Sequence, residues 1–212
     1  MVKWVTLLLV VLGLGFGFLR WRGREGYMAP QRVYAGSNSG LRETQVKSDP
    51  QQVNLWIPRT WSEGGFRYRA MAEFAVTGRV LIKTDFSDGP EAQVSPVDLT
   101  FGWGEMATDR YLKSISLSHS GRFYQWQHND PGLNNTIIET HSANMHMIPK
   151  NAKVDRTLRQ IKQGELVSVV GYLVNLVSEE DGWSWKTSTR RSDTGGGACE
   201  LIWVDQVYRD QR

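Results

Sequence analysis

The run ELVSVVGYLVNLV, Glu165 to Val177, restricts the possible folds of this chain more than any other stretch. Most of its residues are apolar, several are β-branched, and polar turns lie on both sides of it. A strand with one solvent-facing side would alternate polar and apolar residues, so this run predicts a central strand that is buried on both faces for part of its length. Other segments of the chain must therefore supply the strands that flank it.

Several other segments have strand-like composition. Tyr68–Phe86 is rich in β-branched and aromatic residues, and predicts either one long strand with a bulge at Gly78 or two strands that meet there. Ser95–Met106 predicts a strand that leads into a tryptophan flanked by glycines. Two alternating runs in Ile115–Gln127 predict a hairpin, and Thr136–Met147 predicts the strand that follows it.

One segment changes to the period of a helix. Val154, Leu158 and Ile161 are spaced i, i+4, i+7, Asn151 can cap the first turn, and Gly164 can end the helix. An Asp-Gly turn, a short Trp-rich strand and a last strand follow the central run. Strands, one soluble helix and further strands predict a mainly β domain, either a small OB-like barrel or an α+β sheet.

The amino-terminal part of the chain predicts a membrane anchor. Trp4–Leu19 carries no charge and is bounded by basic residues, so residues 1–22 are expected to form a transmembrane helix. A cleaved signal peptide is the alternative, but arginines rather than small residues follow the apolar core. Residues 23–52 are polar and rich in glycine and serine, as in a flexible linker, and residues 53–212 are expected to form one globular domain.

Charge suggests lipid rather than nucleic acid as a partner. The net charge is +3, and the basic excess lies at Arg20, Arg22 and Arg24, where it can contact lipid headgroups through the anchor. The rest of the chain is close to neutral, so we expect no nucleic-acid partner. The positive-inside rule would keep the domain cytoplasmic, whereas analogy with tethered Trp-rich β domains favours the periplasm. We expect a single-pass membrane protein with its domain on the periplasmic side.

Several motifs resemble, in order, those of a family of uncharacterised bacterial membrane-anchored β-rich proteins. They are SPVDLTFGWGEM, ISLSHSGRFYQW, HSANMHMIP, GELVSVVGYLV and DGWSWKTSTRRSDTGGGACELIWV, and together they cover about the C-terminal two-thirds of the chain. The resemblance implies a bacterial, membrane-associated domain, and together with the expected anchor it leads us to expect the bacterial inner membrane. It implies no activity, cofactor or partner, so the chemistry has to be argued from the residues.

The segment HSANMHMIP suggests a metal site. In a strand, Glu139 and His141 would point to the same face and could offer an oxygen and a nitrogen to one metal ion. A copper site at Met145, His146 and Met147 is a second possibility, but neighbouring strand residues alternate faces. The alternative is that both methionines pack in the core while the histidine between them lies on the opposite face.

Cys199 suggests an enzyme. The glycine-rich approach DTGGGAC could present its thiolate on a tight turn, with His141 or His146 as the base. The alternative is a small buried apolar residue at the start of the last strand, ELIWV. Because Cys199 is the only cysteine in the sequence, no disulfide within the chain is possible.

Two further segments suggest ligand binding. Glycines on both sides of Trp103 would leave its ring open as a stacking platform, unless it is a core residue at a strand end. Arg190, Arg191 and Asp193 lie in a glycine-rich loop that could hold an anionic or sugar ligand through a guanidinium group. The alternative for that loop is an exposed turn with an internal Arg–Asp pair.

These candidates lead to three functional hypotheses. The first is a binding or assembly module that engages a cell-envelope component, either a protein or the cell wall. The second is a cysteine-dependent enzyme with an acyl or peptide substrate, and the third is a metal-binding domain. Since no catalytic or metal motif occurs with its typical spacing, the first is favoured and neither catalysis nor a cofactor is expected.

Overall fold

The computed structural model describes Val46, residues 48–190 and residues 199–209. The expected anchor and nearly all of the expected linker lie outside these residues. Within them, no helix has both the length and the apolar character needed to cross a bilayer.

The described residues form nine strands in two sheets. The strands are β1 (Gln51–Glu63), β2 (Phe66–Asp85), β3 (Val97–Gly102), β4 (Ser116–Ser120), β5 (Phe123–Gln127), β6 (Ser142–Pro149), β7 (Leu166–Ser178), β8 (Ser184–Trp185) and β9 (Glu200–Arg209). The main sheet has the order β1-β2-β3-β6-β9-β7-β8, with an additional pairing of β2 with β7, and β4 pairs only with β5. The expectation of a mainly β domain is confirmed.

Short helices connect these strands. They are α1 (Pro90–Val94), α2 (Asp109–Leu112), α3 (Asn135–Thr140) and α4 (Ala152–Gln160), with a 3-10 turn at Gly104–Ala107. The expectation of one soluble helix is therefore wrong for the described part of the chain. Three of the four are only one or two turns long, and helices of that length leave little periodic signal in a sequence.

Five strands of the main sheet pair in a closed circuit. β2 pairs with β3, β3 with β6, β6 with β9, β9 with β7, and β7 with β2 again. The pairing of β6 with β9 is parallel and the other four are antiparallel. Helix α4 lies in the connection from β6 to β7.

The central strand predicted from Glu165–Val177 is confirmed as β7, which pairs with β2 on one side and with β9 on the other. The register with β9 shifts between Val170 and Gly171. A Cβ at Gly171 would lie 1.9 Å from the carbonyl oxygen of Trp203, so only glycine allows the two backbones to approach this closely.

The long strand β2 is continuous from Phe66 to Asp85. Of the two predicted alternatives, the single strand is correct, but its irregularities lie at Ala70/Ala72 and Val80/Ile82 rather than at Gly78. This length lets β2 pair with β1 along its first half and with β3 along its second half, while β7 runs along its other edge.

Helix α4 packs on the main core as its spacing predicts. Val154, Leu158 and Ile161 contact the cluster formed by the inner residues of the circuit. The Asn151 side chain accepts hydrogen bonds from the backbone N–H groups of Lys153 and Val154, which confirms the predicted cap. The helix ends at Gln160, before Gly164.

The strand predicted at Thr136–Met147 exists only from Ser142 onward, because residues 135–140 form helix α3. Asn134 caps this helix by accepting a hydrogen bond from the backbone N–H of Thr136. Ile138 is fully buried in a second apolar cluster, outside the main core. The cap and this burial outweigh the strand preference of adjacent β-branched residues.

The predicted hairpin is confirmed as β4 and β5. Leu117 and Trp126 are directly paired across it and pack against the second cluster. The alternate residues of both strands are exposed. The hairpin therefore places one face on the body of the domain and leaves the other in solvent.

Candidate functional site

Buried polar side chains gather on the outer face of β3 and β6. Alternate residues of these strands belong to the main core, which leaves Asp98, Thr100, Asn144 and His146 on the opposite face. Asp98 and Thr100 are 0% exposed, and the other two are nearly as buried. Burial of polar groups this deep costs folding free energy unless they pair with one another. Clusters of buried, paired polar groups are also typical of functional sites.

Arg122, in the turn of the β4–β5 hairpin, supplies the countercharge. It follows Gly121, whose φ of 58° gives the tight turn. Its guanidinium donates to Asp98 Oδ1 over 2.6 Å and to the backbone carbonyl of Ser95 over 2.9 Å. The Arg122 side chain is 15% exposed and that of Asp98 is 0% exposed, so the ion pair is largely withdrawn from water.

His146 lies on the other side of the same carboxylate. Its Nδ1 is 2.9 Å from Asp98 Oδ2, which is ion-pair distance. The same nitrogen does not meet the angular requirement of a hydrogen bond, so the contact is close but not well aligned. The indole of Trp185 covers the imidazole, with ring centroids 4.7 Å apart.

Asn144 joins the carboxylate to Thr100. Its amide nitrogen donates to Asp98 Oδ2 over 3.3 Å and to the backbone carbonyl of Arg122 over 3.0 Å. Since both partners can only accept, the amide oxygen must point the other way, towards the Thr100 hydroxyl. Thr100 donates to that oxygen over 3.1 Å, which uses its single proton.

This chain of bonds fixes the tautomer of His119. Its Nε2 is 2.7 Å from the Thr100 hydroxyl, whose proton is already directed at Asn144, so Nε2 must carry a proton and donate it. Its Nδ1 is 2.7 Å from the Thr84 hydroxyl and accepts from it when the ring is neutral. His119 therefore ties the hairpin to β2 and β3 at once.

Burial determines the protonation of the groups on the hairpin. Desolvation lowers the pKa of His119, and the nearby Asp98 carboxylate opposes this while His146 adds to it. Desolvation also lowers the pKa of Arg122, against the opposing effect of Asp98 and Glu91, although an arginine remains charged at neutral pH. Burial therefore favours the neutral form of His119 in the folded protein.

Aromatic rings form the rim of this face. The guanidinium of Arg122 lies 3.9 Å from the centre of the Phe86 ring and 5.3 Å from that of Trp185. Trp183 lies 6.0 Å from Trp185 and is tilted to it. Phe86 and both tryptophans are partly exposed. The buried polar network is therefore bordered by rings that can contact a ligand.

Cys199 lies at the edge of the same face. It is partly exposed and is not in a disulfide. In the parallel pairing of β6 with β9, His146 is the partner of Leu201, two residues after Cys199. Cys199 itself immediately precedes β9, which begins at Glu200. Its backbone carbonyl accepts a hydrogen bond from Ser188 N–H, which holds the segment in place.

The proposed metal pair of Glu139 and His141 does not have the expected geometry. Glu139 lies in helix α3 and His141 is its C-cap, so the strand alternation that would align them is absent. The His141 ring instead packs against Gly104, where a Cβ would lie 2.6 Å from it. In residues 46, 48–190 and 199–209, no group of three or more His, Cys, Asp or Glu side chains could hold a metal ion.

The methionines around His146 also do not form a copper site with it. Met145 and Met147 are 0% exposed in the main core, whereas His146 lies on the outer face. The alternative interpretation of HSANMHMIP, with core methionines and an outward histidine, is confirmed.

Trp103 is not a stacking platform in this structure. It is 2% exposed within the main core, and its indole N–H donates to Asp49 over 3.0 Å. Gly104, with φ of 53°, turns the chain after the ring instead of opening it to solvent. The alternative interpretation, a core tryptophan at the end of a strand, fits the burial.

The arginine-rich loop is described only in part. Arg190 is exposed, and its backbone N–H donates to the Ser188 hydroxyl over 3.0 Å. Arg191 and Asp193 lie outside the described residues. The internal Arg–Asp pair and the ligand contact proposed for this loop both stay predictions.

Sequence reasoning missed most of the polar network. Asp98 stands within an apolar strand, VDLTFG, and a charged residue at such a position could have been recognised as one that needs a partner. Arg122 and His119 carried no comparable signal, since a hairpin exposes half of its residues. Only the fold brings Asp98 and Arg122 together.

Comparison with known proteins does not identify a relative. No family model matches the chain, and neither the curated proteins nor the solved structures contain a match.

Proposed function

We propose that this protein is a membrane-anchored binding module of the bacterial cell envelope, which recognises its ligand at the aromatic rim of the β3–β6 face. The observation that carries the proposal is the convergence of Trp183, Trp185 and Phe86 on the buried Asp98–His146 pair. Rings that are half exposed beside fixed polar groups are typical of ligand sites.

We further propose that the closed circuit is an OB-like barrel. Three features support this assignment. The strands of the circuit have the order β2-β3-β6-β9-β7, and β6 and β9 are parallel. Helix α4 lies between β6 and β7, which are the third and fourth strands of the circuit in chain order. OB-folds bind oligosaccharides and oligonucleotides on the face of their second and third strands and on the loops that connect strands one to two and four to five. In this chain those strands are β3 and β6.

The rim residues come from the two corresponding loops. Phe86 begins the connection from β2 to β3, and Trp183, Trp185 and Arg190 lie in the connection from β7 to β9. This use of the barrel face is a fold-level analogy, and the aromatic rim is the independent support for it. Since the charge of the domain disfavours nucleic acid, a glycan of the cell wall is the ligand class that suits these residues best.

Sedimentation of the purified full chain with isolated peptidoglycan tests this proposal. We expect Trp183→Ala to weaken binding at least about fivefold, because truncation of an aromatic anchor at a binding site costs more than ~1 kcal/mol. Phe123→Ala is the matched control, since Phe123 is an exposed ring on the far face of the hairpin. Failure of the wild-type protein to sediment with peptidoglycan, or equal binding by the Trp183 variant, would refute the proposed ligand class.

Periplasmic exposure of the domain is a separate part of the proposal. It is supported by the nature of the expected ligand and by the apolar segment Trp4–Leu19. A reporter enzyme fused to the C-terminus, active only in the periplasm, tests it. Activity of a cytoplasm-specific reporter would place the domain inside, as the positive-inside rule alone suggests.

A cysteine-dependent enzyme is the second candidate, and one observation favours it. Cys199 comes two residues before Leu201, the β9 partner of His146, and His146 contacts Asp98, so the fold brings the cysteine segment close to an imidazole and a carboxylate. Such an enzyme would use the Cys199 thiolate on an acyl or peptide substrate. The other proposed base, His141, lies at the end of α3, beside Gly104.

Alkylation of the folded protein distinguishes this candidate from the first. An activated thiolate reacts with iodoacetamide near neutral pH, and His146→Gln should then slow the reaction at least about tenfold. A thiol that reacts only after denaturation would eliminate the enzyme.

A further inference from the structure

Exposed apolar side chains are concentrated on strand β1. Val53 is 61% exposed, Trp56 is 101% exposed and Ile57 is 84% exposed. Single exposed apolar residues are common, but adjacent ones that include a completely exposed indole mark a contact surface.

The backbone of β1 arches away from the sheet at this point. Asn54 pairs with Ala72, and the next paired residue of β1, Arg59, is opposite Ala70. The four residues Leu55–Pro58 therefore lie opposite Met71 alone, and Trp56 and Ile57 are at the centre of this arch. Bulges of this kind re-aim side chains and are retained for that purpose. Here the arch presents apolar side chains to solvent.

Edge pairing with a second copy of the chain fits this surface poorly. β1 is an edge strand of the main sheet, which could in principle pair with another strand. Pro58 has no N–H to donate, and the arch interrupts the row of backbone groups that such pairing needs. A partner that needs no strand register is the better fit.

A lipid bilayer is such a partner. Tryptophan is enriched where bilayer and water meet, and aliphatic side chains gain by entering the acyl region beneath the headgroups. Arg59 ends the arch, and Arg69 on β2 is opposite Thr60. Both arginines are exposed, at positions where a cation can contact anionic headgroups.

The position of β1 in the chain would allow it to reach a membrane, provided that the anchor of the proposed function is correct. The expected linker of residues 23–52 separates that anchor from β1. A flexible linker of this length has an r.m.s. span of about 30 Å, which is comparable to the size of the domain. A linker of this length would let the arch of β1 reach the bilayer that holds the anchor.

From these observations we propose that the arch Leu55–Pro58 is a membrane-contact element. Trp56 and Ile57 enter the interface of the bilayer that holds the anchor, and Arg59 and Arg69 contact its anionic headgroups. This contact orients the domain and turns the aromatic rim of β3 and β6 in a fixed direction relative to the membrane.

Quenching of tryptophan fluorescence by brominated lipid tests the proposal on the full chain. The protein is reconstituted in vesicles of phosphatidylcholine and phosphatidylglycerol, with or without phosphatidylcholine brominated near the headgroup end of its acyl chains. We expect bromine to quench less intensity in Trp56→Tyr than in wild type, because the variant lacks one inserted indole. Tryptophans of the anchor contribute equally to both proteins.

A matched control and a separate test of the anchor make the result specific. Trp126→Tyr removes a half-buried tryptophan of the hairpin and should leave the quenched intensity unchanged. Protein that an alkaline wash strips from the vesicles would refute the anchor itself. Anchored protein with equal quenched intensity in wild type and Trp56→Tyr would overturn the membrane contact alone. Shielding of Trp56 from aqueous iodide without quenching by bromine would also overturn it, by showing that protein covers the arch.

Discussion

Replacement of Arg122 by methionine tests the buried ion pair. The substitution keeps most of the side-chain volume but leaves the Asp98 carboxylate, which is 0% exposed, without its countercharge. Removal of one partner from a buried pair costs about 3–5 kcal/mol. Asn144 Nδ2 still donates to the carboxylate and compensates in part, so we expect the lower end, about 3 kcal/mol.

Urea denaturation of the full chain in detergent, followed by tryptophan fluorescence, measures this loss. With a slope of about 2 kcal/mol per M for a domain of this size, 3 kcal/mol lowers the midpoint by about 1.5 M. Arg67→Met is the control, because Arg67 is exposed on β2 and a surface substitution changes stability by less than ~0.5 kcal/mol.

The opposite half of the pair should cost less. In Asp98→Asn the Arg122 side chain, which is 15% exposed and long, can turn its charge towards water. The double variant Asp98→Asn/Arg122→Met contains neither buried charge. Its loss of stability should therefore be smaller than the sum of the losses in the two single variants. A loss below ~1 kcal/mol for Arg122→Met, or additive losses in the double variant, would show that the pair does not stabilise the hairpin as argued.

Three other changes have expected outcomes. Burial lowers the pKa of His119 below its ordinary value of 6.5, so the unfolded chain takes up a proton more readily than the folded protein. The stability of the domain should therefore fall as the pH drops through the folded pKa. Urea midpoints at several pH values should show this fall in wild type and a smaller one in His119→Gln. Gly171→Ala should destabilise the domain by at least ~2 kcal/mol, because the new Cβ would lie 1.9 Å from a backbone oxygen of β9. Gly132→Ala, in an exposed loop, is the control and should not destabilise it, and the melting temperatures of the two variants provide the comparison. Asn151→Ala should cost about 1 kcal/mol in the same melts through loss of the α4 cap, and an unchanged melting temperature would contradict that role.

Local pattern was sufficient for much of the fold. The spacing of apolar residues predicted the central strand β7, the β4–β5 hairpin and helix α4. In each of them this spacing follows from which faces of the element are buried. The separation of Met145 and Met147 from His146 follows from strand alternation in the same way.

The misassigned segment shows where local pattern fails. Ile137 and Ile138 favour a strand, but Asn134 caps a helix and the second apolar cluster takes up Ile138. That cluster is assembled from four separate parts of the chain, so no window of sequence contains the information.

The candidate site depends on such distant contacts throughout. Asp98 lies in the main sheet and Arg122 in the turn of the separate β4–β5 hairpin, so the network between them requires that the hairpin fold back over β3. Trp185 lies in β8, the last strand in the sheet order, yet its ring packs against that of His146 on β6. Residue types can suggest that Asp98 needs a partner, but only the packing identifies which one.

The place of β9 in the sheet has a consequence for the assembly of the domain. β9 is inserted between β6 and β7, although both precede it in the chain, and its parallel pairing joins residues that are far apart in sequence. Until it arrives, the facing edges of β6 and β7 have unsatisfied backbone groups and an open core between them. A partly folded molecule without β9 would expose both edges and would therefore be prone to aggregate.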